Sequence, residues 1–170
     1  MSTAPTTAPA TTPAFTWPVR IYWEDTDAGG VVYYANYLKF CERARTEWLR
    51  SLGLDQQRLA ERDALLFVVS SAQVRYLAPA RLDDELSVSV SVVEVGGASL
   101  ELLQDVNRCA PTSHVSTIAS TLLARVQVRV ACVQAGSLKP RRLPAAVLQA
   151  IAGRPPSGLR TVATQNVTRA

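Results

Sequence analysis

The stretch EDTDAGG at residues 24–30, which runs directly into VVYYANY at residues 31–37, decides how this chain folds. Acidic side chains and two glycines are crowded into one turn, with a strand-like run before it and a long helical pattern after it. The sequence therefore predicts a carboxylate beside a helix N-terminus, whose free N–H groups carry partial positive charge. This arrangement suits chemistry on a carbonyl group, because the N–H groups polarise the oxygen while the carboxylate acts at the carbon or on a water.

The clearest predicted element is a helix of about twenty residues after the glycines, ended by Gly53. Apolar residues recur at three-, four- and seven-residue spacings and predict one buried face. These positions are Tyr33, Tyr37, Phe40, Cys41, Ala44, Trp48 and Leu52. The opposite, polar face holds Asn36, Lys39, Glu42, Arg43, Thr46, Glu47 and Arg50. A helix with so wide an aromatic face needs a broad apolar surface to cover, which a sheet supplies.

Most of the remaining chain has strand patterns, and the alternation LSVSVSV at residues 86–92 is the strongest of them. Gly96-Gly97 predicts a hairpin turn after it. The other predicted strands are residues 15–23, 65–77, 100–106 and 116–133, and short helices are predicted at residues 55–62 and 144–152. One long helix combined with antiparallel strands predicts an α+β fold.

Length and composition indicate one globular domain. The chain has 170 residues, 48% of them hydrophobic and 19% charged, and a net charge of +4. We predict a disordered Thr/Ala/Pro tail at residues 1–14, the domain at residues 15–152 and a flexible tail at residues 153–170. Because the basic residues are scattered, we expect no nucleic-acid partner.

The cysteine, histidine and terminal patterns narrow the chemistry and the location. Cys41, Cys109 and Cys132 are widely spaced and odd in number, which argues against a disulfide framework and favours a cytoplasmic location. His114 is the sole histidine, so a histidine metal site or a Ser-His-Asp triad is disfavoured, and we expect it in a loop. We also expect neither a signal peptide nor a transmembrane segment.

Each candidate site residue has a structural alternative. Asp27 is a candidate general base or nucleophile, but spacing alone favours a helix cap, and Asp25 shares this ambiguity. Neither is followed by a metal-ligand pattern, so we expect no metal. Gly29 and Gly30 either let a ligand approach the backbone or form a plain tight turn. Tyr34 lies at the edge of the predicted apolar face, where it can border a pocket.

A small basic cluster near the end of the domain is the remaining candidate. Lys139, Arg141 and Arg142 can bind phosphates or can belong to a solvated loop.

Residues 24–33, together with ERARTE at residues 42–47, resemble the YbgC subgroup of hotdog-fold acyl-CoA thioesterases. This subgroup lies within the 4-hydroxybenzoyl-CoA thioesterase-like superfamily and is associated with the Tol–Pal system. The resemblance covers roughly residues 17–150, is specific over residues 19–50, and extends to KPRRLP at residues 139–144.

The resemblance implies a long central helix wrapped by a five- to six-stranded antiparallel sheet, in dimers that assemble into tetramers. The active site would lie at the dimer interface and use no metal or cofactor, since coenzyme A is part of the substrate. The family's catalytic aspartate falls on Asp27, and backbone N–H groups of Val31 and Tyr34 would polarise the thioester carbonyl. Members of the subgroup commonly carry His where Tyr34 stands, whereas the 4-hydroxybenzoyl-CoA branch resembles this chain in having Tyr.

We therefore expect a cytoplasmic, homo-oligomeric thioesterase that hydrolyses acyl-CoA or acyl carrier protein thioesters, with Asp27 activating water or attacking the carbonyl. Gly29, Gly30 and Tyr34 would contact the substrate, with Lys139, Arg141 and Arg142 at its phosphates. The rival hypothesis is a binding or scaffold module with little catalysis, which recognises acyl carrier protein or envelope-biogenesis partners. A hotdog dehydratase or hydratase is disfavoured, because those enzymes typically use a His.

Overall fold

The computed structural model describes residues 13–109 and 120–153, which form one five-stranded antiparallel sheet and three α-helices. The strands lie in the order β1-β3-β4-β5-β2 across the sheet. The elements are β1 (Phe15–Arg20), α1 (Asn36–Ser51), α2 (Gln56–Asp63), β2 (Leu65–Tyr76), β3 (Glu85–Val95), β4 (Ser99–Arg108), β5 (Thr121–Gln134) and α3 (Ala145–Ala152). This architecture confirms the predicted α+β class.

The alternation of apolar and polar residues in β3 explains how the sheet packs against α1. Leu86, Val88, Val90 and Val92 are buried in the core, where they form part of the apolar surface under the helix. The predicted hairpin follows, and the Gly96 N–H donates to the Ser99 carbonyl at 2.8 Å. In α1, the aromatic positions Tyr37, Phe40 and Trp48 are buried against this surface, as the spacing predicted.

The predicted position of the first helical turn is wrong. Helix α1 begins at Asn36, and Tyr33, predicted in the core, lies before it with 44% of its surface exposed. Asn36, predicted on the polar face, is 5% exposed because its side-chain amide donates to the Asp25 carbonyl at 3.0 Å. A polar side chain with a backbone partner can be buried at little cost, and hydrophobic periodicity does not detect such a partner.

The first strand is also shorter than predicted. β1 ends at Arg20, and Trp23–Asp25 form a 3-10 turn in which the exposed Trp23 does not continue the sheet. The predicted short helices are present as α2 and α3. Nearly all of the two predicted tails, and His114, lie outside the described residues. Among the helices of the described ranges, none is both long and apolar enough to cross a bilayer.

Strand β2 lies at one edge of the sheet and is poorly covered by α1, which packs mainly on β1 and β3. Residues of β2 that pair with the buried positions of β5 share their face of the sheet, on the side of the helix. Val69, paired with Val130, and Tyr76, paired with Ala124, are on this face, and each is about half exposed. A groove therefore remains open along β2.

Candidate active site

The loop between β1 and α1 folds back on itself as a small hairpin. The Asp27 N–H donates to the Val31 carbonyl at 3.0 Å, and the Gly30 N–H donates to the Asp27 carbonyl at 3.0 Å. Thr26 and Val32 form an antiparallel bridge just outside this turn. Gly30 has a φ of +71°, a left-handed conformation that favours glycine. The sequence thus folds Asp27 and the two glycines into one tight turn.

Asp27 does not cap the helix, so the interpretation that spacing alone favoured is wrong. The N-cap of α1 is Ala35, and no side chain caps this end. Instead, the exposed carboxylate of Asp27 accepts a hydrogen bond from the Gly29 N–H at 2.8 Å through Oδ1. Within the described residues Oδ2 has no hydrogen-bond partner. One carboxylate oxygen is thus held in place while the other is available to a ligand or a water.

Asp25 has a structural role. Its side chain is 8% exposed, and its Oδ2 accepts a hydrogen bond from the Tyr22 N–H at 3.0 Å. Its backbone carbonyl accepts from the Tyr33 N–H at 2.9 Å and from the side-chain amide of Asn36 at 3.0 Å. Asp25 therefore connects the end of β1, the turn and the helix start, and the structure separates two aspartates that spacing alone left equivalent.

The start of α1 presents free N–H donors. Among the hydrogen bonds of the described ranges, the N–H groups of Val31, Tyr34 and Ala35 have no acceptor. By contrast, the Val32 N–H donates to the Ala80 carbonyl and the Tyr33 N–H to Asp25, each at 2.9 Å. Unpaired N–H groups at a helix start carry partial positive charge and bind an oxygen that develops negative charge.

Ala35 was missed at the sequence level. No sequence pattern placed the helix start at residue 36. Because Ala35 is the N-cap, its N–H lies before the intrahelical hydrogen bonds and has no helical carbonyl to donate to.

An aromatic cavity of about 300 Å³ lies beside this helix start. Its walls are Val32, Tyr34, Tyr37, Tyr76, Leu77, Ala78 and Pro79. Tyr34 is 61% exposed, so its side chain borders the cavity, whereas Tyr37 is buried and accepts a hydrogen bond from the Ala80 N–H at 2.9 Å through its hydroxyl oxygen. The prediction that Tyr37 packs in the core while Tyr34 remains at the edge is confirmed.

Tyr33 connects this cavity electrostatically to Asp27. Its ring lies 4.7 Å from that of Tyr34, measured between centroids. The pKa of the Tyr33 hydroxyl is raised, first by a hydrogen bond with the Tyr34 side chain and, to a smaller extent, by the negative charge of Asp27. The negative charge of Asp27 therefore reaches Tyr33, whose ring lies against that of Tyr34.

The basic cluster lies elsewhere in the same chain. Lys139, Arg141 and Arg142 are exposed beside the Leu65 end of β2, where the Arg141 guanidinium donates to the Asp63 carbonyl and to the Gln134 side chain. The cavity adjoins the opposite end of β2. The strand has 12 residues, so the two ends are about 35 Å apart. One protomer by itself therefore does not bring the basic cluster to Asp27.

Comparison with known proteins places the chain in a family. The model of the thioesterase-like superfamily matches residues 21–151. This chain belongs to that superfamily. It is 46% identical to the acyl-CoA thioesterase YbgC of Haemophilus influenzae over 130 residues, which cover 76% of this chain and 88% of the relative. It is also 46% identical to the acyl-CoA thioester hydrolase YbgC of Escherichia coli O6:H1 over 138 residues, which cover 81% of this chain and 95% of the relative.

Solved structures agree on the fold. The crystal structure of Slr0204, a 1,4-dihydroxy-2-naphthoyl-CoA thioesterase from Synechocystis, matches with a TM-score of 0.67 and 28% sequence identity. The match covers 81% of this chain and 94% of that one. The expected hotdog fold and the resemblance to YbgC thioesterases are thereby confirmed.

Proposed function

We propose that this chain hydrolyses acyl-CoA thioesters to a free acid and coenzyme A, by an Asp27-dependent reaction that uses no metal. One observation carries the proposal: the exposed Asp27 carboxylate and the uncapped start of α1 belong to the same tightly bonded loop. Relatives at 46% identity are named acyl-CoA thioesterases, which supports this substrate class. An acyl carrier protein thioester presents the same reacting group and stays the alternative carrier.

The helix start supplies electrostatic stabilisation in this proposal. The thioester carbonyl oxygen accepts a hydrogen bond from the Tyr34 N–H, with the Ala35 or Val31 N–H as second donor. As the tetrahedral intermediate forms, negative charge develops on this oxygen, and fixed donors stabilise it more than the ground state. Removal of one such donor in comparable sites costs about 3–4 kcal/mol of transition-state stabilisation.

Asp27 has two chemically balanced roles. As a general base it takes a proton from water while the water oxygen bonds to the carbonyl carbon; the C–S bond then breaks and the proton passes to the thiolate. As a nucleophile its free oxygen bonds to the carbonyl carbon and expels the thiolate, and water then hydrolyses the mixed anhydride. Either route starts from the ionised carboxylate, which the Gly29 N–H orients.

The proposed mechanism does not depend on a histidine. The side chain at position 34 is a phenol that borders the aromatic cavity, while the backbone N–H of the same residue serves as donor. Tyr34 therefore affects how the acyl group fits, and we assign the polarisation of the carbonyl to the backbone.

The free edge of β2 supports a homodimer. Among the strands of the described ranges, β2 pairs with β5 alone, runs for 12 residues and leaves Val69 half exposed. The other edge strand, β1, has six residues and contains Pro18, which blunts pairing. We propose that two copies pair through β2, antiparallel about a two-fold axis. Further assembly of such dimers into tetramers stays a prediction.

Such pairing would complete the active site. Because antiparallel β2 strands place the Tyr76 end of one copy beside the Leu65 end of the other, the partner's Lys139 and the partner's Arg142 would lie near the Asp27 loop. These side chains, which have no hydrogen-bond partner within the described residues, would contact the phosphates of coenzyme A. The separation of about 35 Å within one chain is thus compatible with a shared site.

The test of the proposed function is release of coenzyme A from short, long and aromatic acyl-CoAs by the wild type and by Asp27→Asn. We expect Asp27→Asn to lose at least a hundredfold in kcat/KM, about 2.7 kcal/mol, with an unchanged melting temperature. Glu24→Gln, an isosteric change at an exposed neighbouring carboxylate, is the control and should retain full activity. Equal and slow turnover by folded wild type and Asp27→Asn would instead favour the binding-module alternative, with acyl carrier protein or Tol–Pal components as partners.

The state of the cysteines supports a cytoplasmic location. Cys41, Cys109 and Cys132 are free thiols, and burial raises the pKa of Cys41 to about 12, so that it stays protonated at neutral pH. Free thiols are compatible with a reducing compartment.

A further inference from the structure

Tyr76, the last residue of β2, contacts the turn that precedes α1. Its hydroxyl donates a hydrogen bond to the Tyr34 carbonyl at 2.9 Å. Its ring packs edge-to-face on Tyr34, with centroids 6.3 Å apart, and on Tyr37, with centroids 5.5 Å apart. The sheet and the helix start are thereby joined at the residue that carries the proposed N–H donor.

The Tyr34 carbonyl would otherwise lack a donor. In a helix that began one residue earlier, the Leu38 N–H would bond to it, but this N–H donates to the Ala35 carbonyl at 3.1 Å. Within the described part of the chain, this carbonyl accepts its hydrogen bond from the Tyr76 hydroxyl alone. Its removal leaves a backbone acceptor at the helix start without a protein partner.

The residues on either side of Tyr34 are held by other bonds. The Tyr33 N–H donates to the Asp25 carbonyl at 2.9 Å, and the Ala35 carbonyl accepts from the Leu38 N–H at 3.1 Å. Tyr34 itself is held through the carbonyl that Tyr76 binds. The N–H and C=O of one residue are linked by two rotatable bonds, so a fixed carbonyl and a packed ring limit the directions in which the N–H points.

We propose that Tyr76 is a positioning residue for thioester hydrolysis: its hydroxyl holds the Tyr34 backbone so that the Tyr34 N–H meets the thioester carbonyl oxygen. This inference rests on the proposed function. The same hydrogen bond polarises the peptide between residues 34 and 35, which makes the Ala35 N–H a stronger donor. Preorganised donors stabilise developing charge because they need not reorient during the reaction.

The hydroxyl stays a donor over the working pH range. The pKa of Tyr76 is raised above its ordinary value, first by burial and then by the neighbouring tyrosines Tyr34 and Tyr37. A raised pKa keeps the phenol protonated at neutral and mildly alkaline pH, so this bond is not lost there.

The experiment is the substitution Tyr76→Phe, which removes one oxygen and keeps the ring. We expect kcat to fall about tenfold, equivalent to about 1.4 kcal/mol, with KM changed less than twofold. Tyr22→Phe makes the same chemical change at an exposed tyrosine and should leave both constants unchanged. A loss confined to KM, or no loss of kcat, would overturn the proposal.

A second measurement separates positioning from general loss of structure. Two unreactive acyl-CoA analogues are compared: a ketone, which keeps the carbonyl, and a thioether, which lacks it. Tyr76→Phe should weaken binding of the ketone several-fold and leave binding of the thioether unchanged. The quantity compared is the ratio of the two dissociation constants, ketone to thioether. Because both constants are measured on the same protein, the ratio does not depend on the folded fraction. A ratio unchanged from wild type would refute the role of Tyr76.

The outcomes for Asp27 and Tyr76 are distinguishable. If Asp27→Asn keeps wild-type turnover, the proposed function itself fails. If Asp27→Asn is inactive while Tyr76→Phe has wild-type kcat and a wild-type ligand ratio, the function stands and the positioning role of Tyr76 alone is wrong.

Discussion

Asp25 and Asp27 are two residues apart in one loop, yet their environments are opposite. The Asp25 side chain is 8% exposed, and its Oδ2 accepts a hydrogen bond from the Tyr22 N–H. The Asp25 backbone carbonyl accepts from the Tyr33 N–H and from the Asn36 side-chain amide. The Asp27 side chain is exposed, and a single N–H, that of Gly29, holds one of its oxygens. Since each carboxylate accepts one backbone N–H, the difference teaches that burial, rather than residue type or motif position, separates the structural carboxylate from the candidate catalytic one.

Replacement of Asp25, the buried carboxylate, by Ala should lower the stability of the protein. In Asp25→Ala the part-buried Tyr22 N–H loses its acceptor, so we expect the free energy of unfolding to fall by about 2 kcal/mol. Urea denaturation measures this, with Glu24→Ala at the exposed neighbouring position as control. Equal stability of the two variants would show that Asp25 does not hold the loop.

Substitutions of Gly29 and Gly30 should separate an effect on activity from an effect on stability. A Cβ added at Gly29 would lie 3.0 Å from the Asp27 Oδ1, whereas one added at Gly30 meets nothing within 4 Å. Gly29→Ala should therefore displace the carboxylate and lower kcat/KM about tenfold. Gly30→Ala should mainly cost stability, about 1 kcal/mol, because its φ is +71°.

Steady-state kinetics and thermal unfolding of both glycine variants test this pair. The reverse order of activity losses would mean that the Asp27 position is set by something other than the space at Gly29.

The smallest expected effect concerns the basic loop. Replacement of both Lys139 and Arg142 by Ala should raise KM for acyl-CoA a few-fold and reduce its dependence on salt, because exposed charges contribute modestly. In mixed dimers of this double variant with Asp27→Asn, the intact Asp27 faces an intact basic loop of the partner. Such dimers should show a wild-type KM and half the wild-type kcat. A raised KM in the mixed dimers would place the basic loop in the same chain's site.

Much of the fold could be predicted from the sequence, because periodic burial leaves a periodic pattern. The alternation at residues 86–92 and the spacing of Phe40, Ala44 and Trp48 correspond to β3 and to the buried face of α1. The pattern failed at the helix start. Asn36 is buried because of one distant carbonyl, that of Asp25, and such a partner is invisible to periodicity.

Part of the candidate site could be predicted from the sequence. The resemblance directed attention to Asp27 and the N–H of Tyr34, and the structure places both in one loop system, although the catalytic roles stay predictions. Tyr76 was not predicted, since residues 65–77 were interpreted simply as a strand, and its contact with Tyr34 depends on the folded chain. The position of Lys139 likewise follows from strand order, which local sequence does not specify.

The most direct test of the central claim is a parallel measurement of coenzyme A release and unfolding free energy for Asp25→Asn and Asp27→Asn. We predict that Asp27→Asn retains wild-type stability and loses at least a hundredfold in kcat/KM, whereas Asp25→Asn loses stability and keeps kcat/KM per folded molecule within a few-fold of wild type. If Asp27→Asn turns over acyl-CoA at the wild-type rate, or if Asp25→Asn is the folded but inactive variant, the account is contradicted.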